Sequence, residues 1–125
     1  MHEFSIAQAM VEAACSEALR IGSNRVTKVL CRIGSLRQVD DSLMREAFDF
    51  VKGGTICAAA ELTIEKKHME ATCPQCRVRF AVRDWDWSCP TCGAFGEDAA
   101  GGDELELVSL EAEVPDERAG ATQRV

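Results

Sequence analysis

Four of the seven cysteines in this 125-residue chain fall in two C-x2-C pairs within the stretch "CPQCRVRFAVRDWDWSCPTCG". They are Cys73, Cys76, Cys89 and Cys92, with twelve residues between the pairs. Each pair places two thiols on one tight turn, and two such turns deliver four soft ligands to a tetrahedral ion, zinc foremost. The spacer suffices for a hairpin of two short strands, with Phe80, Val82, Trp85 and Trp87 available to cover a small core. A module this small does not fold on hydrophobic burial alone. A structural zinc contributes on the order of 10–16 kcal/mol of apparent binding free energy, which decides the matter. With cysteine at every ligand position no place is left for water, so the metal is structural and not hydrolytic. A redox dithiol pair or an iron–sulfur centre is the competing use of the same residues.

The rest of the composition narrows the function. Hydrophobic content of 46% and charged content of 28% exclude a disordered chain. No apolar run approaches the ~20 residues of a membrane helix. The N-terminus lacks the basic and then apolar pattern of a signal peptide, so a cytoplasmic protein is expected. In that reducing setting paired cysteines read as metal ligands and not as disulfides. The net charge of −7 disfavours binding to a phosphate backbone. A nucleic-acid-binding or transcription-associated zinc ribbon is nevertheless the rival reading. It rests on Arg77, Arg79 and Arg83, partly offset by Asp84 and Asp86, and on tryptophans able to stack on bases. No nucleophile–base constellation stands out, so no enzyme is expected.

Outside the cysteine module the pattern is helix, strand, helix, strand and a late strand. Ala7, Met10, Val11, Ala14, Cys15, Ala18 and Leu19 recur at helical spacing, with Ser5 and Gln8 as a capping box and Gly22 as the stop. "RVTKVLCRIG" alternates as a strand, and "DDSLMREAFDFV" opens a second helix whose apolar face is Leu43, Met44, Ala47, Phe48 and Val51. "ELTIEKK" and "LELVSLEAEV" supply two more strands. The fold class expected is α+β: a small antiparallel or mixed three-stranded sheet with two helices, plus an inserted four-cysteine zinc ribbon. Residues 1–70 with 103–114 form one discontinuous domain, and 71–102 form the ribbon with its Gly- and acid-rich connector. Residues 115–125 are expected to be a loose tail.

The chain opens "MHEFSIAQAM". A free α-amine at Met1, the amide nitrogen and imidazole of His2 and a further amide such as that of Glu3 form adjoining chelate rings. Such nitrogen-rich square-planar coordination suits Ni²⁺ or Cu²⁺. On spacing alone an idle terminal histidine is the plainer reading. "MHEFSIAQAM", "IGSLRQVDDSLMREAFDFV" and the inserted C-x2-C-x12-C-x2-C together resemble the HypA/HybF family of hydrogenase nickel-incorporation proteins, from Met1 to about Val114. The resemblance implies a nickel metallochaperone, with Ni(II) carried at the terminus by the Met1 amine, His2 and neighbouring backbone nitrogens, and Zn(II) in the ribbon. Glu3 belongs to the motif, its carboxylate as a ligand being left open. Asp40 matches a position near the nickel site, and reads equally well as a helix N-cap. The partners implied are a GTPase and the large subunit of nickel–iron hydrogenase, with urease maturation proteins in some organisms; a homodimer is left open.

Four further residues carry plainer expectations. Cys15, Cys31 and Cys57 lie on apolar faces or stretches and are expected to pack as small hydrophobes. His68 is expected to be a solvated histidine at a strand end, with a second metal or a pH response as the alternative.

Overall fold

The computed structural model describes residues 2–114 and the backbone of 121–124. In chain order the elements are α1 (His2–Arg20), β1 (Arg25–Gly34), a 3-10 turn (Ser35–Arg37), α2 (Asp41–Val51), β2 (Glu61–Lys67), β3 (Glu70–Thr72), β4 (Arg79–Ala81), β5 (Glu97–Ala100), β6 (Leu105–Val114) and β7 (Ala121–Arg124). They divide into two compact units. The first comprises residues 1–32, 39–65 and 106–125, and the second 33–38 and 66–105.

In the first unit the sheet order is β2-β1-β6-β7. Partners across β1 and β6 run in opposite senses: Arg25 pairs with Glu113, Thr27 Oγ1 donates to the Glu111 carbonyl and Arg32 reaches Glu106. Arg32 also reaches Glu65 on β2 at 2.6 Å, so one guanidinium spans three neighbouring strands. Half-solvated pairs of this kind contribute roughly 0.2–1 kcal/mol each. Burial contributes more. Ala7, Ala14 and Ala18 of α1, Met44 and Phe48 of α2, and Val26, Val29, Cys31, Leu110 and Ala112 of the sheet are all buried. Ile6, Met10 and Val11 of α1 are buried as well, and α1 packs on α2.

Several sequence expectations change here. Helix α1 begins at His2, so Ser5 lies inside it and is no N-cap. The extra turn lets Phe4 pack on Phe50, ring centroids 5.9 Å apart, and tertiary packing overrides the local capping signal. Leu19 and Leu43, expected on apolar faces, are exposed. The expected loose tail contains β7, which adds a fourth strand by pairing Ala121–Arg124 antiparallel with Glu111–Val114. A strand edge recruits backbone groups and needs no apolar side chains, so composition does not reveal it. Residues 115–120 and Val125 of that tail lie outside the described residues.

The second unit has the sheet order β4-β3-β5. Ala71 pairs with Phe80 across β3 and β4, and the β3–β5 register shifts between Glu70 and Thr72. Strands of three and four residues do not stand alone, and the core they share is small. It consists of Met69, Ala71, Cys73, Phe80, Val82 and Cys89, with Trp87 at its margin. Trp87 stacks on Phe95 at 5.6 Å. Trp85, expected to cover this core, is 62% exposed instead. It occupies the second central position of a two-residue hairpin turn in which Asp84 (φ 53°) and Trp85 (φ 62°) are both left-handed. The Asp86 N–H closes that turn on the Arg83 carbonyl at 2.9 Å.

Where β1 ends, Gly34 donates its N–H to the Glu104 carbonyl at 2.7 Å, and Leu36 donates to the Gly102 carbonyl at 2.7 Å. The two backbones lie so close that a Cβ on Gly34 would sit 2.1 Å from the Gly102 oxygen. Only glycine fits there.

Candidate metal centres

The two cysteine pairs fold into near-identical turns. In the first, the Cys73 N–H donates to the Val78 carbonyl at 2.9 Å, and the Arg77 N–H returns to the Cys73 carbonyl at 2.9 Å. In the second, the Cys89 N–H donates to the Ala94 carbonyl and the Gly93 N–H returns to that of Cys89, both at 2.8 Å. Each turn is completed by a left-handed residue just after its second cysteine: Arg77 at φ 64° and Gly93 at φ 80°. The repeated C-P-x-C sequence therefore produces a repeated geometry that aims both sulfurs of a pair inward.

The four sulfurs converge. All lie within 4.8 Å of one another, and Cys73 Sγ and Cys92 Sγ are 3.4 Å apart. A tetrahedral thiolate site with metal–sulfur bonds of about 2.3 Å has sulfurs about 3.8 Å apart, so the set fits one ion. Cys73 and Cys89 are buried, Cys76 is half-buried and Cys92 is exposed.

The surrounding backbone prepares the sulfurs for charge. The Cys76 N–H reaches Cys73 Sγ at 3.2 Å and, as the main cause, lowers that thiol's pKa. The N–H groups of Cys92 and Thr91 bring the Cys89 thiol down to about 6. Cys76 goes the other way, to about 12, because Cys92 shares its proton and burial and its neighbours resist another negative charge. Four thiolates cannot gather without a cation. A divalent ion at their centre removes the conflict.

The second group gathers where the helices of the first unit begin. His2 is exposed in the first turn of α1, whose leading N–H groups have no helical acceptor. Glu3 Oε2 accepts the backbone N–H of Asp40 at 3.1 Å. That bond, followed by Glu3's own amide and the charge of His2, holds the Glu3 carboxyl below its ordinary range. Asp40 is the N-cap of α2, and its Oδ1 accepts the Leu43 N–H at 3.0 Å. Asp40 is thus both a helix cap and a neighbour of the opening turn. Met1 lies outside the described residues.

A model of the family described as "Hydrogenase/urease nickel incorporation, metallochaperone, hypA" matches residues 1–112. The chain belongs to the HypA family. Among HypA relatives, the hydrogenase maturation factor HypA of Wolinella succinogenes is 37% identical over 118 residues, covering 94% of this chain and 99% of the relative. The factor of the same name from Geotalea uraniireducens is 36% identical over 113 residues, covering 90% of this chain and all of the relative. The solution structure of the Ni metallochaperone HypA from Helicobacter pylori superposes with a TM-score of 0.63 at 25% identity, covering 92% of this chain and all of that one. The two helices, the two small sheets and the four-cysteine cluster accord with the HypA fold.

The remaining candidate residues do other things in this HypA-family chain. His68 is half-buried and not solvated: Arg83 Nη1 lies 2.9 Å from its Nε2. His68 therefore has a protein partner across the second unit and is not the solvated strand-end histidine expected. Sequence reading missed this partner, fifteen residues away. Arg79 is engaged with Glu70 and Thr72, and Arg83 with His68, so two of the three arginines of the supposed basic cluster face neighbours. Cys31 and Cys57 are buried, and desolvation pushes their thiols up to about 11 and about 12. Cys15 is half-buried. Among the described residues, no helix is long and apolar enough to cross a membrane.

Proposed function

We propose that this chain is a non-enzymatic nickel carrier of metalloenzyme maturation. It binds Ni(II) at its N-terminus through the α-amine of Met1, the imidazole of His2 and the adjoining backbone nitrogens. The observation that carries the reading is the match to HypA nickel-incorporation proteins along residues 1–112, which includes the Met-His-Glu start. The placement of His2 and Glu3 in the opening turn of α1, with Glu3 hydrogen-bonded to Asp40, supports it further. Amide nitrogens in the first turn have no helical partner to give up, so ligation there costs the helix little. Variants of Glu3 and Asp40 distinguish ligation by their carboxylates from mere orientation of the terminus.

The four cysteines, Cys73, Cys76, Cys89 and Cys92, would hold Zn(II), which orders the second unit and takes no part in transport. Nitrogen ligands at an exposed chain end suit a carrier, because a receiving protein can displace them one at a time. The relatives are hydrogenase maturation factors, so the hydrogenase large subunit is the recipient we favour, with a GTPase as working partner in the cytoplasm. Urease is a second recipient, in keeping with the family's description.

Titration calorimetry with nickel tests this. The amine and the imidazole must lose their protons to ligate, so affinity falls in mild acid. His2→Ala should bind at least about tenfold more weakly than the native chain near neutral pH, since even losing an outer-shell partner of a metal ligand costs about 10–100-fold. Equal affinity of the two proteins would overturn the terminal site.

A further inference from the structure

Three described cysteines lie outside the four-sulfur cluster, and two of them meet. Cys15 Sγ and Cys57 Sγ are 3.7 Å apart, though 42 residues separate them in the chain. Both belong to the first unit. Cys15 is half-buried on α1, whereas Cys57 is fully buried in the segment between α2 and β2. That segment is held in place on several sides. The Ile56 carbonyl accepts the Val26 N–H at 2.9 Å, and the Cys57 N–H donates to Thr55 Oγ1 at 3.0 Å. The Ala60 N–H returns to the Cys57 carbonyl at 2.8 Å, and Lys52 Nζ donates to the Ala60 carbonyl at 2.9 Å. Two ordered elements therefore present two sulfurs at van der Waals contact, a geometry that small side-chain rotations convert into a bond of ~2.05 Å.

We propose that Cys15 and Cys57 are a dithiol–disulfide pair, closed by a low-molecular-weight disulfide such as glutathione disulfide. In the first step the Cys15 thiolate attacks one glutathione sulfur, the glutathione S–S bond breaks, and the departing glutathione thiolate takes up the proton Cys15 has lost. In the second step the Cys57 thiolate attacks the Cys15 sulfur of the mixed disulfide. The Cys15–Cys57 bond forms, and the second glutathione leaves with the proton of Cys57. Two protein thiols are oxidised by two electrons, and one glutathione disulfide is reduced to two thiols. The division of labour follows from burial. Cys15 has the access that the first step needs, and Cys57 has the contact that the second needs. Burial keeps Cys57 from low-molecular-weight partners before Cys15 is engaged, and because burial and the neighbouring Cys15 push its thiol up to about 12, the second step is slow and relies on the sulfur–sulfur contact. The bond would staple α1 to the segment after α2. The inference does not depend on the nickel reading.

Treating the zinc-loaded full chain with glutathione disulfide, alkylating the free thiols and mapping peptides by mass tests the proposal. The expected product is a Cys15–Cys57 peptide pair two hydrogens lighter than its separate peptides, restored by dithiothreitol. It should come with a rise in Tm of about 5–10 °C. Cys15→Ser should show neither the cross-link nor the rise while keeping its zinc. A stable glutathione adduct at Cys15, or free Cys15 and Cys57 in a protein whose other cysteines have oxidised, would overturn the pairing.

Discussion

Glu3 on α1 and Asp40 at the start of α2 are joined by a 3.1 Å hydrogen bond from the Asp40 backbone N–H to Glu3 Oε2. A carboxylate thus sits at the positive end of a second helix, and the chain's opening turn is tied to it. The bond depresses the folded-state pKa of Glu3 below the ordinary 4.5. Its stabilising effect is therefore full above the ordinary carboxylate range and disappears as the pH falls through the lowered value. An NMR titration should place the Glu3 midpoint below 4.5, and Glu3→Ala should speed hydrogen exchange at the Asp40 amide. An unchanged exchange rate would show the bond to be dispensable.

Gly34→Ala should be among the most damaging small substitutions in the chain. Its Cβ would lie 2.1 Å from the Gly102 carbonyl oxygen, and both neighbouring backbones are hydrogen-bonded in place. Overpacking against a fixed backbone costs about 1–3 kcal/mol or more. Urea unfolding of the variant should show a loss of at least that lower figure, and wild-type stability would contradict the close approach.

Trp85→Gly should stabilise the protein. Trp85 is 62% exposed and held at φ 62°, a conformation that glycine adopts without strain. Relief of left-handed strain is worth about 1–2 kcal/mol, offset by the added freedom of glycine in the unfolded chain. A net gain of about 0.5–1 kcal/mol in thermal or urea unfolding is expected. A loss would mean that the indole makes contacts worth more than the strain.

Removal of the zinc proposed for the four cysteines should unfold the second unit. Its strands have three or four residues and its core is a handful of side chains, two of them the proposed ligands Cys73 and Cys89. A strong chelator should abolish the near-ultraviolet circular dichroism of Trp87, which stacks on Phe95, and Cys76→Ala should reproduce that loss. Retention of the signal in the metal-free protein would remove the structural role.

The cysteine cluster was legible because its chemistry is local: two C-P-x-C turns fix their own geometry, and only their convergence requires the fold. The helices and long strands were legible from apolar period. The start of α1 was not, since Ser5 and Gln8 offer a sound local cap while Phe4 and Glu3 find partners at Phe50 and Asp40, far along the chain. Strand β7 escaped because backbone pairing leaves little mark on composition. The Arg83–His68 and Cys15–Cys57 contacts escaped for a third reason: neither residue of either pair has a spacing that names the other.

The central claim is that the chain end itself, and not the His2 side chain alone, holds nickel. Adding one residue before Met1 keeps every side chain and relocates only the free amine. Nickel affinity of that extended protein, measured beside the native chain with zinc content matched, tests the claim directly. A drop of about tenfold or more, at least the scale on which loss of an outer-shell partner weakens a metal site, is the outcome this account requires. Undiminished binding would contradict amine ligation.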